Sequence, residues 1–282
     1  MSASVLFDVA GPRTKARHRI YTIVSVVVLL VLLAFVLLRM SSTGQLAYAK
    51  WEPFVTPRFI RALLLDGVLR TVEMAFSAIL FAVIFGLLFG IGKVSDHAWL
   101  RWPCWAVVEF FRAVPVLLMM IYIFLAYGAG GGGIGSYWSV VIALTLYNGA
   151  VLAEVFRAGI QAVPKGQSEA AYALGLRKSQ VMMSVLMPQG VKIMLPAIIS
   201  QMVVALKDTS LGFVIIAPGV TRVGKSIYLE FQNQLQVAIV LALIYILLNL
   251  AVSSIATWVQ KKFVGEKTVL LTESTNAGSP PI

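Results

Sequence analysis

The sequence holds 282 residues, of which 59% are hydrophobic and 12% charged, with a mean hydropathy of +0.88. Soluble domains carry about 25% charged residues, so this composition excludes an ordinary soluble globular domain and points to an integral membrane protein. A single Cys104 and two histidines, His18 and His97, exclude an internal disulfide and a structural zinc site, and the net charge of +11 comes without the aromatic-interleaved basic stripe of a single-strand nucleic-acid binder.

An α-helix needs about 20 apolar residues to cross the hydrocarbon. After a basic N-terminus over 1–19, the first qualifying stretch is Ile20–Leu38. Its apolar run is longer than a signal peptide's and ends on Arg39-Met40 rather than at a small-residue cleavage site, so an uncleaved helix is expected. An external linker over 39–65 leads to a second span, Asp66–Ile91, in which Gly86 and Gly90 form a GxxxG pattern that lets another helix pack closely. Further spans are expected at Cys104–Tyr127, Ser136–Phe156, Gly190–Ala217 and Val237–Val259. The glycine-rich stretch Gly128–Gly135 reads as a mobile loop tip, and the polar tail over 264–282 reads as disordered.

With the N-terminus inside, fourteen Lys and Arg fall in cytoplasmic segments and seven in external ones, leaving Arg112 and Lys207 within spans. That bias places both termini in the cytoplasm. The first external segment is nevertheless rather basic, with Arg39, Lys50, Arg58, Arg61 and Arg70.

The segment between the fourth and fifth spans, Gly159 to Pro188, is too polar to be buried and too long for a plain connection. Ser168 can cap a helix with Glu169 in its first turn, where a carboxylate suits the positive end of the dipole. Ala170, Ala171, Ala173 and Leu174 favour helix, and Gly175 ends it as a C′ glycine does. A second amphipathic helix is expected from Lys178 to Met187, stopped by Pro188. Two short helices meeting at a glycine could dock another protein through small alanines, or could simply lie on lipid headgroups.

This segment resembles the EAA loop of binding-protein-dependent ABC importer permeases, E-A-A-x3-G-x9-I-x-L-P. Glu169, Ala170, Ala171 and Gly175 match, and after nine residues come Val185, Leu186, Met187 and Pro188, in which Val185 and Met187 depart conservatively from Ile and Leu. The polar-amino-acid branch of that family is resembled further by Thr71, by Phe111-Arg112-Ala113-Val114-Pro115, by Ala153-Glu154-Val155-Phe156-Arg157-Ala158-Gly159, by Lys165-Gly166-Gln167 and by Leu206-Lys207-Asp208-Thr209-Ser210-Leu211. Within the branch the chain looks most like glutamate-uptake permease subunits. The resemblance implies an all-α, polytopic membrane protein of about six transmembrane helices. These would be a five-helix type I importer core over 66–263 plus the additional N-terminal helix over 20–38, with a cytoplasmic helix-turn-helix coupling loop. It implies a transport subunit rather than an enzyme, in a bacterial cell membrane and with no cofactor of its own. The implied partners are a dimer of ATPase subunits below, a second permease subunit of the same or a different kind, and an external amino-acid-binding protein. Glu169, Ala170, Ala171, Gly175, Leu176 and Pro188 would make the ATPase contact. The amino acid would be glutamate, with glutamine or a basic amino acid next.

Ionisable groups inside spans are costly, so each needs a partner or a task. Glu109 with Arg112, and Glu154 with Arg157, are three residues apart and can pair on one helical face, as structural ion pairs or as a gate. Lys207, Asp208, Thr209 and Ser210 lie deeper, and with Glu73 of the second span they could face the carboxylate and amine of a passing amino acid or hold helices together. The string Gly219-Val220-Thr221-Arg222-Val223-Gly224-Lys225-Ser226 fits the phosphate-loop pattern G-x4-G-K-[ST], yet it follows a span and Pro218 instead of a β-strand. A secondary transporter would need interrupted helices in inverted repeats, and a membrane enzyme a nucleophile–base or metal set; the sequence displays neither.

Overall fold

The computed structural model describes residues 12–130 and 133–264. The start of the basic N-terminus, residues 131–132 of the glycine-rich tip and the tail expected to be disordered beyond 264 lie outside the described residues. α1 (Pro12–Ser42) carries the first apolar stretch. The stretch expected as a linker then holds α2 (Tyr48–Trp51), a 3-10 turn (Glu52–Phe54) and α3 (Pro57–Ala62). A π-helical turn (Leu63–Leu69) joins α3 to α4 (Arg70–Lys93) without a break, giving one rod of 37 residues over Pro57–Lys93. At 1.5 Å per residue that rod is about 55 Å long, so it begins well outside the hydrocarbon.

The third span departs from expectation. It is two helices, α5 (Ala98–Ala113) and α6 (Val116–Ile123), bent against each other by 97°. Val114 is extended (φ −78°, ψ 125°) because the ring of Pro115 disfavours the helical conformation in the residue before it. Pro115 then starts α6, where its missing N–H costs no hydrogen bond. A π-turn (Phe124–Gly128) ends this half of the span.

α7 (Gly135–Gln161) is the central helix, and α8 (Lys165–Ala173) and α9 (Lys178–Val181) follow it. A π-turn (Met182–Leu186) and α10 (Met187–Asp208) continue α9, and a 3-10 turn (Thr209–Ile215) completes a single rod over Lys178–Ile215. Pro188 therefore does not stop the second helix of the loop as expected. The turn widens just ahead of the proline, where the ring would otherwise strike the carbonyl four residues back. The fifth span ends at Ile216, whose backbone is left-handed (φ 54°), a costly conformation for a β-branched residue. α11 (Val220–Phe231) and α12 (Gln234–Val264) close the chain. Among the described residues five helices are long and apolar enough to cross a membrane, six spans where the bent pair is counted as one, and the all-α polytopic architecture holds as expected.

α4 and α7 make the most extensive helix pair, with α10 packed against both. Ile79 and Ala82 of α4, Leu152 and Phe156 of α7, and Met194 and Ala205 of α10 form one buried cluster. Gly86 and Gly90 allow the α4–α7 approach: a Cβ on Gly86 would sit 2.7 Å from Leu152 Cβ, and one on Gly90 2.8 Å from Phe156 Cβ and 2.9 Å from the Ala153 carbonyl oxygen. Midway along, Gln201 of α10 donates to the Asn148 side-chain oxygen on α7 (2.6 Å), and the Asn148 amide donates to the Leu144 carbonyl (2.8 Å). The hydrophobic stretch of α1, by contrast, has no buried residue. Its exit is pinned where Gln236 and Trp51 donate to the Gln45 carbonyl and Asn233 donates to that of Lys50.

Gly86→Val is expected to lower the thermal unfolding midpoint of the detergent-purified protein, at a cost of about 1–3 kcal/mol for overpacking, whereas Gly166→Ala, where a Cβ meets nothing within 4 Å, is expected to leave it unchanged. Equal midpoints for the two would contradict the close α4–α7 seam.

Candidate functional site

Two features at one end of the bundle stand out: the α8–α9 loop and a charge network beneath it. The loop leaves α7 through only three residues and starts earlier than expected. Pro164 precedes Lys165, the first residue of α8, and Val163 is buried as an anchor. Ser168 is therefore not the cap. It lies inside α8, its hydroxyl donating to the Lys165 carbonyl (2.8 Å), and Glu169 falls in the second turn. The end of α8 is as the glycine signalled. Gly175 is left-handed (φ 79°), its N–H bonds to the Tyr172 carbonyl (2.9 Å), and the Leu176 N–H bonds to that of Ala171 (3.2 Å). These are the two bonds of a Schellman stop.

The loop has an inner and an outer face. Ala171 is buried, Leu176 half-buried, and Glu169 and Ala170 exposed. Leu174 is 82% exposed, although it is the most apolar residue of the turn. Pro188 is exposed on the first turn of α10. A tether holds the loop to the rest: Lys178 pairs with Asp96 in the turn between α4 and α5. The Lys178 ammonium keeps the Asp96 carboxyl below its ordinary value of 3.8.

The two expected i,i+3 pairs form. Arg112 contacts Glu109 at 3.1 Å, and Arg157 pairs with Glu154 through both Nε and Nη2. Sequence reasoning missed what joins them. Lys93, at the end of α4 and 8% exposed, contacts Glu154 at 2.7 Å and Glu109 at 3.3 Å. Lys93 had counted only as a cytoplasmic loop charge. The available signal was that two carboxylates in neighbouring spans each had a single cation nearby in sequence. The network ties α4, α5 and α7 together immediately before α7 hands over to α8, and Arg157 extends it to Gln161 (2.7 Å).

The deeper polar residues do not converge in the same way. Lys207 is exposed and Asp208 half-buried, and no ion pair joins them among the described residues. Thr209 is buried with its hydroxyl donating to the Leu206 carbonyl (2.7 Å), and Ser210 is half-buried. Glu73 pairs with Arg70 of its own helix at 2.9 Å.

The phosphate-loop string has a structural explanation. Gly219 has φ 145°, and a Cβ there would lie 2.8 Å from Thr71 Oγ1, which accepts the Val220 N–H at 3.0 Å. Gly224, Lys225 and Ser226 lie within α11 rather than in a loop. A Cβ on Gly224 would meet Leu241 of α12 at 2.7 Å, and Lys225 sits over the Phe213 ring. The glycines serve helix contacts, and no phosphate cradle forms.

A bundle of membrane-crossing helices with an exposed helix–glycine–helix between two of its central rods is the build of a multi-span transport subunit. Residues 78–265 match the family model described as binding-protein-dependent transport system inner membrane component, and the chain belongs to that family. It is 40% identical over 226 residues to the glutamate transport system permease protein GluD of Corynebacterium glutamicum, covering 79% of this chain and 83% of that one. It is 30% identical over 200 residues to the arginine transport system permease protein ArtQ of Bacillus subtilis, covering 71% and 91%. Among solved structures, an amino acid ABC transporter with histidines is similar at a TM-score of 0.66 and 29% identity, over 72% of this chain and 95% of that one. The family match begins at Ala78 inside α4, so α1 lies outside it.

Lys93→Met is expected to destabilise the purified protein by about 1–3 kcal/mol, since Glu109 and Glu154 lose the cation they share and keep only the arginine on their own helix. A double-mutant cycle of Lys93→Met with Glu154→Gln is expected to show a coupling of about 1 kcal/mol. Fully additive losses would contradict the network. For the tether, the sign follows from the depressed Asp96 value. Its contribution is complete above the ordinary carboxyl value of 3.8 and is lost only as pH falls through the lower folded value. The protection of α9 amides relative to intrinsic exchange is therefore expected to hold from neutrality down to about that value and to fall below it.

Proposed function

We propose that this chain is the permease subunit of an ATP-driven amino-acid importer, that the α8–α9 loop is where the ATPase docks, and that the loop end is cytoplasmic. The carried amino acid is glutamate, in keeping with the names of GluD of C. glutamicum and of the glutamate/aspartate import permease GltK of Escherichia coli. Glutamine and arginine permeases also match, so glutamine or a basic amino acid comes next. The chain itself hydrolyses nothing. It works with a pair of ATPase subunits, a second permease subunit and an external binding protein, and both termini face the cytoplasm in line with the Lys and Arg bias.

The observation that carries the reading is the exposed tip of the loop. Leu174 stands 82% exposed outside the bundle, flanked by exposed Glu169, Ala170 and Tyr172. An apolar side chain on a rigidly stopped turn, ringed by small and charged residues, suits a protein partner. Exposed Ala170 and Gly175 let that partner approach, Glu169 offers it a charge, exposed Pro188 adds to the same contact, and buried Ala171 and half-buried Leu176 seat the turn on the bundle.

The connections explain how docking becomes movement. α8 is three residues from α7, and α9 runs into α10 without a break. A pull on the loop therefore moves two central rods together. The Lys93 network passes the displacement of α7 to α4 and α5, and α5 ends at the 97° bend. Rocking of such a unit against its partner subunit opens and closes a path between them. Lys207, Asp208, Ser210 and Glu73 are the residues we assign to that path, facing the charged groups of the amino acid. Thr209 supports the turn through its backbone bond.

In vesicles reconstituted with the partner ATPase and binding protein, Glu169→Lys and Gly175→Val are each expected to abolish ATP-driven glutamate uptake while inserting normally; at Gly175 a side chain would add about 1–2 kcal/mol of backbone strain. Normal uptake in both would end the docking assignment. Lys207→Ala is expected to lower uptake at normal protein levels, and unchanged uptake would remove Lys207 from the path.

A further inference from the structure

A cavity of about 530 Å³ opens beside the charge network, lined by Lys93, Arg101 and Arg157 together with Trp102 and Trp105. Its charge is unbalanced. Lys93, Arg101 and Arg157 line it with Glu109 and Glu154, three cations against two carboxylates, and Arg112 brings a fourth cation to Glu109 from outside the lining. Both carboxylates are already committed, each to two cations. Asp96, in the turn between α4 and α5, is taken by Lys178. Among the described residues Arg101 has no carboxylate partner, and its guanidinium donates only to the Ser95 carbonyl at 3.4 Å.

The wall of the cavity is equally specific. Trp102 and Trp105 are 62% and 48% exposed on α5, and their rings meet edge to face at 5.9 Å. Trp99 stands 75% exposed one turn earlier. Indole rings prefer the level of the lipid headgroups, where the apolar ring meets acyl chains and the N–H meets water. Surplus cations behind exposed tryptophans at the end of a membrane-crossing bundle therefore match a ligand with a phosphate and an apolar remainder.

We propose that this cavity binds the phosphate headgroup of an anionic phospholipid, with Arg101 as its principal contact and Trp102 and Trp105 against the glycerol and upper acyl chains. The lipid phosphate supplies the missing negative charge. It also places a lipid against the charge network that links α7 to α5.

The test uses the full chain, purified in mild detergent and offered equal amounts of phosphatidylglycerol and phosphatidylcholine, with retained lipid counted by native mass spectrometry. Wild type is expected to retain phosphatidylglycerol preferentially. Arg101→Gln is expected to reduce that retention about fivefold, the effect of one basic residue near an anionic surface. Arg101→Lys, which keeps the charge, is expected to preserve it, as is Arg61→Gln at the opposite end. Millimolar inorganic phosphate is expected not to displace the lipid. The proposal is overturned if Arg101→Gln retains phosphatidylglycerol as wild type does, or if Arg101→Lys or Arg61→Gln loses as much as Arg101→Gln. Displacement by inorganic phosphate also overturns it, because the cavity would then take the free ion.

Discussion

Burying an ammonium group at the end of a membrane bundle is costly unless carboxylates meet it there. Lys93 meets two, one from α5 and one from α7, at 3.3 Å and 2.7 Å. That requirement fixes where three helices converge, and they converge about two turns before α7 gives way to the α8–α9 loop. Each carboxylate also has its own arginine on the same helix, so an isolated helix could satisfy it only in part. Each carboxylate meets both of its cations only in the assembled bundle. A displacement of α7 that broke one contact would leave charge unpaired, so the three helix ends are expected to move as a unit.

Glycine supplies the complementary constraint. Gly86 and Gly90 bring α4 against α7 so closely that no side chain fits between them, and this seam positions Lys93 at the end of α4 beside Glu154. At the other end Gly219 brings Thr71 onto the first turn of α11. Gly175 is different in kind. A Cβ there would touch nothing, and the residue is needed for its left-handed backbone alone. The same residue type thus builds the rigid body in two places and stops the coupling helix in a third.

Much of this was legible in the sequence because membrane spans, i,i+3 pairs and a C′ glycine are local patterns. The six apolar stretches, the Glu109–Arg112 and Glu154–Arg157 pairs and the turn at Gly175 all follow from neighbours a few residues apart. What escaped was either long-range or a matter of continuity. Lys93 reads as an ordinary loop lysine until α4, α5 and α7 are in place. Pro188 reads as a stop, since nothing local reveals that a π-turn can carry the helix past it. A proline at 115 disfavours a continuous helix, but the near right angle depends on Val114 leaving the helical region. The amphipathic helix α11 was hidden inside a string that imitates a phosphate loop. Its glycines make sense only beside Thr71 and Leu241. Lys207, Asp208 and Glu73 were legible as costly charges, but within this chain they do not converge, Glu73 pairing instead with Arg70 of its own helix.

The central claim is that the α8–α9 loop transmits the work of a partner ATPase to α7 and α10. The most direct measurement is site-directed crosslinking in membranes containing the co-expressed ATPase, in a Cys104→Ser background. A thiol placed by Leu174→Cys is expected to crosslink to the ATPase, with a yield that changes when ATP is bound, whereas one placed by Arg222→Cys at the opposite end should not. Absence of any Leu174→Cys adduct, or an ATPase adduct at Arg222→Cys in its place, would contradict the account.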